Sequence, residues 1–102
     1  MKNFVATCNK GFHITFENGY TVSVQWGAGN YCDNYNPEDK DFSFKKPAES
    51  NTAELAAFDS KGEFVDMYEV CPEYKSDGKC VGYLTPKEVI TIMVRIAALP
   101  CH

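Results

Sequence analysis

The sequence predicts an α+β fold, in which an antiparallel β-sheet meander of about five or six strands packs with one C-terminal α-helix. A single domain spanning 1–102 is expected. One supporting observation is a turn signature with glycine at its fourth position, which recurs in CNKGF, FENGY and DSKGE. The other is an apolar run after the Thr85-Pro86 dipeptide that has helical spacing.

The second and third strands are predicted from the register at FENGY. A three-residue loop pairs Ile14 with Val22 and keeps the apolar side chains on one face. A two-residue type I′ loop at Asn18-Gly19 would mix apolar and polar residues on both faces. Because one face must be buried, we predict the three-residue loop.

The same register at CNKGF pairs Cys8 with Phe12 and completes a three-stranded meander. One face of this meander is apolar and consists of Phe4, Ala6, Cys8, Phe12, Ile14, Phe16, Tyr20, Val22 and Val24. The other face is polar and consists of Thr7, His13, Thr15, Thr21, Ser23 and Gln25. We expect the apolar face to form the core.

Two polar segments predict connections between strands. Residues 38–51 are polar and indicate a long surface connection, with a short edge strand at 41–44. In 71–80, Pro72 favours an edge strand or a loop, because proline cannot donate to a sheet ladder.

The DSKGE turn predicts a second hairpin, with strands at about 53–58 and 63–70. Its bulged register keeps apolar residues opposite one another. The expected pairs are Phe58 with Phe64, Ala57 with Val65, and Leu55 with Met67.

The last element is a helix that begins after Thr85 and ends near Leu99. Thr85 and Glu88 match a capping box, and Pro86 suits the first turn. The polar stripe is narrow and consists of Glu88, Thr91 and Arg95. A helix on one sheet face needs an apolar stripe of about 100°, and this helix is more apolar than that. Either a second sheet or another subunit therefore covers it, and we favour a homo-oligomer.

The segment QWGAGNYCDNYN is the main candidate binding site. Gly27 and Gly29 do not form a phosphate loop, because turn residues rather than a helix follow them. Aromatic rings and amides are suited to stack a flat polar ligand or to anchor a protein partner. These residues are Trp26, Asn30, Tyr31, Asn34 and Tyr35. The alternative is a structural loop whose asparagines cap its own backbone.

His13 and Arg95 complete the candidate binding residues. His13 is expected opposite Ser23, but a Ser–His pair needs an orienting carboxylate and an oxyanion site, and the spacing supplies neither. Arg95 either faces a ligand or extends along the helix surface to solvent. No catalytic set is indicated, so an enzyme is not predicted.

Composition disfavours several functional classes. The five cysteines are expected to be reduced, and no signal peptide is predicted. The spacing of Cys32, Cys71, Cys80, Cys101 and His102 does not suit zinc, so no metal or cofactor is predicted. Nucleic-acid binding is disfavoured by 10 Lys and Arg against 14 Asp and Glu. No membrane association is expected, since no segment approaches the roughly 20 apolar residues of a membrane span.

Three segments, NKGFHITFENGYTVSVQWGAGNYC, ELAAFDSKGEFV and GYLTPKEV, resemble a group of small accessory proteins of tailed bacteriophages. The shared pattern is a meander with NG-type turns, a G-x-G-N-Y-C segment, an acidic hairpin with D-x-x-G and a helix start of T/S-P-x-E. The resemblance covers most of the chain except 37–52 and 71–80. It implies a viral protein in the host cell cytoplasm that counters a host defence system, by binding an effector protein or by sequestering a nucleotide signal.

We therefore expect a non-enzymatic binding protein that inhibits a host protein through the helix and the loop at 26–35. One alternative is a homo-oligomeric sponge that holds a small nucleotide ligand between this loop and Arg95 or His13 of another subunit. The other is an enzyme that uses His13 and Ser23.

Overall fold

The computed structural model describes residues 2–39 and 45–101. Within these ranges, five strands form one antiparallel sheet in the order β1-β2-β3-β4-β5, and two helices accompany it. The predicted α+β meander with a C-terminal helix is confirmed, while the predicted strand at 41–44 lies outside the described residues. The elements are β1 (Phe4–Ala6), β2 (Gly11–Thr15), β3 (Thr21–Gln25), β4 (Ala53–Phe58), α1 (Met67–Val70), β5 (Cys80–Leu84) and α2 (Pro86–Ala97).

The β2–β3 hairpin has the predicted register. Ile14 faces Val22, and the Phe16 N–H donates to the Tyr20 carbonyl at 2.8 Å. Gly19 closes the three-residue loop with a φ of 93°, a left-handed conformation that glycine adopts without steric cost. The pairing of apolar residues was therefore sufficient to choose the loop length.

The predicted register of β1 on β2 is wrong by two residues. Ala6, not Cys8, pairs with Phe12. The chain turns at Cys8 and Asn9, which have φ values of 49° and 57°, and the Lys10 N–H donates to the carbonyl of the residue before this pair at 2.9 Å. A shift of two residues leaves each side chain on its predicted face.

Gly11 has a different role from the one that the turn signature predicts. It does not supply the left-handed residue of the turn. Instead β3 approaches so closely that a Cβ on Gly11 would lie 2.2 Å from the Val24 carbonyl oxygen. Glycine is required at this position for packing between strands.

The predicted strand at 63–70 is also wrong beyond its first residues. Phe64 forms an isolated bridge with Phe58, and the Val65 N–H donates to the main chain of β4 as predicted. Asp66 then caps α1 by accepting the Tyr68 N–H at 2.9 Å, so the chain turns into a helix. The expected pairing of Met67 with β4 is therefore absent.

The strand that continues the sheet is β5, which pairs Val81 with Leu55. It follows the turn in 71–80, where the Asp77 carboxylate accepts the N–H groups of Lys79 and Cys80 at 2.9 and 2.8 Å. These hydrogen bonds hold the pKa of Asp77 below its ordinary value. The predicted loop thus leads directly into the edge strand.

Helix α2 is held at both ends. Thr85 and Glu88 form the predicted capping box, with hydrogen bonds of 3.3 and 2.9 Å. At the other end, the Asn18 side-chain amide donates to the carbonyls of Ile96 and Leu99 at 2.9 and 3.0 Å. The turn of the β2–β3 hairpin therefore caps the C-terminal end of the helix.

The core lies between α2 and the β3–β5 part of the sheet. Its fully buried large side chains are Val22, Leu55, Met67, Val81, Ile92 and Ile96. Phe12 and Ile14 on β2 are only half-buried, and Phe4 on β1 is 77% exposed. Helix α2 thus leaves the β1–β2 half of the apolar face partly uncovered.

We expect Cys8→Asn to raise the free energy of unfolding by about 0.5–1 kcal/mol, because asparagine tolerates the left-handed conformation of this exposed position better than cysteine does. Urea denaturation under reducing conditions measures the change. Cys8→Ala is the control and should bring no gain, since alanine lacks a side chain that stabilises this conformation. A loss of stability in Cys8→Asn would contradict the assignment of the turn.

Candidate functional site

The loop 26–36 is organised by its asparagines. The Asn30 side-chain oxygen accepts the Gly27 N–H at 3.0 Å, and its amide donates to the Glu54 carboxylate at 3.1 Å. The Asn34 amide donates to the carbonyls of Trp26 and Glu49 at 2.9 and 2.7 Å. Both asparagines are thus engaged in capping the loop and tying it to the chain around β4, as the structural alternative predicts.

The same loop lies against β5. The Tyr31 carbonyl accepts the Tyr83 N–H at 2.8 Å, and a Cβ on Gly82 would lie 2.7 Å from the Tyr31 Cβ. Tyr83 adopts a φ of 55°, which is unusual for an aromatic residue. Tyr31 is 50% exposed, and its ring lies beside that of Tyr35 with 5.2 Å between the ring centroids.

Trp26 lies apart from these tyrosines. Its indole N–H donates to the Ala48 carbonyl at 2.8 Å, and its ring packs edge-on against Phe12 with 6.3 Å between the centroids. Trp26 lines a cleft beside α2, whereas Tyr31 lines a different pocket next to β5. The structure therefore divides the predicted aromatic cluster between two surfaces.

The cleft beside Trp26 is an apolar concavity that is larger than the pockets beside Tyr31 and Tyr20. It is open, has a volume of about 450 Å³ and lies between α2 and the sheet. The sheet side is formed by Phe12, Val24 and Trp26, and the helix side by Val89, Ile90 and Met93. Residues 50–52 also line it.

The apolar surface continues from the cleft onto the outward side of α2. Ile90 and Val94 are each 62% exposed, whereas Ile92 and Ile96 are fully buried. At about 100° per residue, Val94 lies about 180° from the midpoint of the two buried isoleucines. The centre of the outward side is therefore apolar and exposed to solvent in the single chain. This agrees with the narrow polar stripe of the helix. In 2–39 and 45–101 the strands form one sheet, and the part of the chain that the structure describes shows no second sheet on this side.

Arg95 does not face the loop. Its guanidinium donates to the Val70 carbonyl at 3.1 Å and forms a two-pronged contact with the Glu73 carboxylate, one arm of which is 2.9 Å long. The hydrogen bonds from Arg95 lower the pKa of Glu73 to about 2. Arg95 thus fastens α2 to the end of α1.

His13 lies on the opposite face of the sheet from α2, across from Ser23 as predicted. The Ser23 hydroxyl oxygen accepts the Gln25 amide at 3.2 Å, and the Gln25 oxygen accepts hydrogen bonds from Thr7 and Lys10 at 2.9 and 2.8 Å. Among the described residues, no carboxylate hydrogen-bonds to His13. Ser23 therefore takes part in a glutamine-centred network.

The five cysteines are free thiols at separate places in the fold. Cys32 and Cys71 are buried, and burial raises the pKa of the Cys71 and Cys80 thiols. His102 lies outside the described residues, and those residues contain no group of three His, Cys, Asp or Glu that could hold a metal ion. Within the same part of the chain, no helix has the length and hydropathy to cross a membrane.

Comparison with known proteins identifies no relative of this chain. No family model, no curated protein and no solved structure matches the chain.

Four residues of the apolar surface, namely Phe12, Ile90, Met93 and Val94, were not among the predicted site residues. The sequence presents Phe12 as a core residue of the meander and the other three as the apolar side of the helix. The available signal was the angle between Val94 and the residues that become buried, and this angle can be read only when the buried side of α2 is known.

The contact between Arg95 and Glu73 predicts a loss of stability in acid. Because folding stabilises the charged carboxylate, this contribution is full above the ordinary pKa of about 4.5 and is lost as the pH falls through about 2. Arg95→Met should move the pKa of Glu73 up towards its ordinary value, and ¹³C NMR titration of the carboxyl group measures it. Lys87→Met, which removes an exposed cation from the same helix, should leave that pKa unchanged. A wild-type Glu73 that titrates at its ordinary pKa would contradict the contact.

Proposed function

We propose that this chain is a non-enzymatic protein-binding module whose binding site is the cleft between α2 and the sheet. The observation that supports this most is the continuity of the cleft with the exposed apolar side of α2 at Ile90. Exposed apolar surface of this kind marks sites where proteins interact. Aromatic rings and the adaptable side chain of Met93 are the groups that such sites use to accommodate apolar side chains.

The lining of the cleft favours a protein segment over a small polar ligand. Small-molecule sites combine an apolar wall with a few convergent polar groups. Here the indole N–H of Trp26 is already bonded to Ala48, and the remaining walls are mainly apolar. We infer that the occupant is an amphipathic helix or a short apolar segment of a partner protein.

The biological setting follows from the phage resemblance and belongs to the same proposal. The partner is a host defence protein in the bacterial cytoplasm, and occupation of the cleft inhibits it. The excess of acidic residues in the chain supports a protein partner over a nucleic acid. The nucleotide sponge gains less support, because the guanidinium of Arg95 is engaged by Glu73.

Met93→Gln tests the cleft with little change in volume or helix propensity. Proteins captured from host extract by the wild-type chain are identified by mass spectrometry, purified and titrated by calorimetry. We expect Met93→Gln to weaken binding about fivefold or more, because an unpaired amide would be buried against the partner. Met93→Leu is the matched control and should bind within about twofold of the wild type, since volume-conserving apolar exchanges are tolerated.

Tyr35→Ala separates the cleft from the loop. This exposed tyrosine does not line the cleft, so its removal should leave the affinity unchanged. Equal affinity of Met93→Gln and wild type, or a loss of binding confined to Tyr35→Ala, would contradict the proposal. Circular dichroism and thermal unfolding verify that each variant is folded.

A further inference from the structure

The outward side of α2 carries a short row of exposed residues with a particular order of sizes. Along the helix, the row consists of Lys87, Ile90, Val94 and Ala98. Val94 is its centre, with a large side chain four residues before it and a small one four residues after it. The row contains one positive charge, at its N-terminal end, and no negative charge.

We propose that a second copy of this chain docks on this row, with the two α2 helices antiparallel and a two-fold axis at Val94. The inference rests on the proposed function only in what it says about the clefts, because it places two copies of the proposed binding site next to each other. The dimer itself is inferred from the row alone. A cyclic dimer with one self-complementary patch is the commonest form of protein oligomer.

Side-chain size supports the position of the axis. With the axis at Val94, Ile90 of each copy faces Ala98 of the other, so a large side chain meets a small one on both sides of the centre. Large side chains that face small ones let the surfaces of two helices interdigitate without voids. A parallel pair would instead place Ile90 against Ile90 and Ala98 against Ala98, which leaves a gap at one end.

Charge supports the same orientation. In the antiparallel pair, Lys87 of one copy lies near the C-terminal end of α2 of the other copy, where the helix dipole is negative. A parallel pair would bring the two Lys87 ammonium groups together. The chain has a formal net charge of -4, and contact through a row without carboxylates avoids the acidic parts of the surface.

The symmetry has a consequence for the cleft. The cleft flanks α2 on the side of Met93. A two-fold axis perpendicular to both helices maps this flank onto the same side of the dimer, so the two clefts open next to each other. A partner with two apolar segments, or a symmetric partner, could then occupy both, and the second contact would benefit from a high effective concentration.

The expected interface is small. A helix of 12 residues is about 18 Å long, and a pair of such helices buries less than the roughly 800 Å² per partner of a standard interface. We therefore expect a dimer that dissociates on dilution rather than a permanent assembly.

Sedimentation of the full chain under reducing conditions tests the dimer. The mass should rise with concentration from 11.4 kDa towards twice that value. Val94→Lys should raise the dissociation constant at least about tenfold, because two ammonium groups would meet on the axis. Tyr35→Lys is the matched control, since it places the same charge on an exposed side chain away from the row, and it should sediment like the wild type.

Disulfide trapping tests the orientation. In a background of Cys8→Asn and Cys101→Ser, Val94→Cys should form a covalent dimer on oxidation, because this position faces itself. Ile90→Cys should not, since it faces Ala98, whereas in a parallel pair it would. Combining a chain that carries Ile90→Cys with one that carries Ala98→Cys should again give the covalent dimer.

A chain that remains monomeric at the highest concentration it reaches in solution would overturn the inference, as would efficient trapping through Ile90→Cys alone. If such a monomer still binds a partner in a manner that depends on Met93, the dimer fails and the proposed function stands. If the dimer forms but Met93→Gln leaves partner binding unchanged, the proposed function fails and the dimer stands.

Discussion

The sheet of this protein is wider than helix α2, the long helix that packs on it. Five strands spaced about 4.8 Å apart place the axes of β1 and β5 about 19 Å from each other, whereas a helix with its side chains is about 10 Å across. Helix α2 lies on β3, β4 and β5, where the buried side chains are concentrated. Phe12 on β2 therefore keeps solvent access, and the cleft lies where the sheet extends beyond the edge of the helix.

Three contacts prevent α2 from shifting across the sheet and closing the cleft. Thr85 joins the helix directly to β5, Asn18 binds its last carbonyls, and Arg95 fastens its last turn to the end of α1. The 26–36 loop holds the opposite wall, because Trp26 is bonded to Ala48. The two walls of the cleft are thus set by contacts outside it, so a partner would meet a preorganised surface and lose less entropy on binding.

Sequence reasoning succeeded where one buried face determined the answer. The β2–β3 register follows from apolar alternation, and the start of α2 follows from its capping box. It failed where a local signal had a second use. Gly11 serves strand packing rather than the turn, and Asp66 starts a helix where apolar alternation predicted a strand. Neither use is visible without knowledge of the neighbouring strand or of the helix that follows.

The candidate site could be predicted only in part for the same reason. The asparagines of the 26–36 loop fit the structural alternative, and Trp26 belongs to a surface that also needs Met93, far away in the sequence. Which strands α2 covers depends on tertiary packing, and periodicity along one helix carries no information about it. The cleft became visible only when helix and sheet were placed together.

The most direct test of an open apolar cleft is the solvent exposure of side-chain methyl groups in the unmodified chain. A soluble paramagnetic probe is added at low protein concentration, and methyl relaxation is recorded by NMR. The account predicts strong relaxation of the Ile90 and Met93 methyl groups and weak relaxation of those of Ile92 and Ile96, which are fully buried. A Met93 methyl group as well protected from the probe as that of Ile92 would show that the chain closes the cleft with its own residues, and would contradict the account.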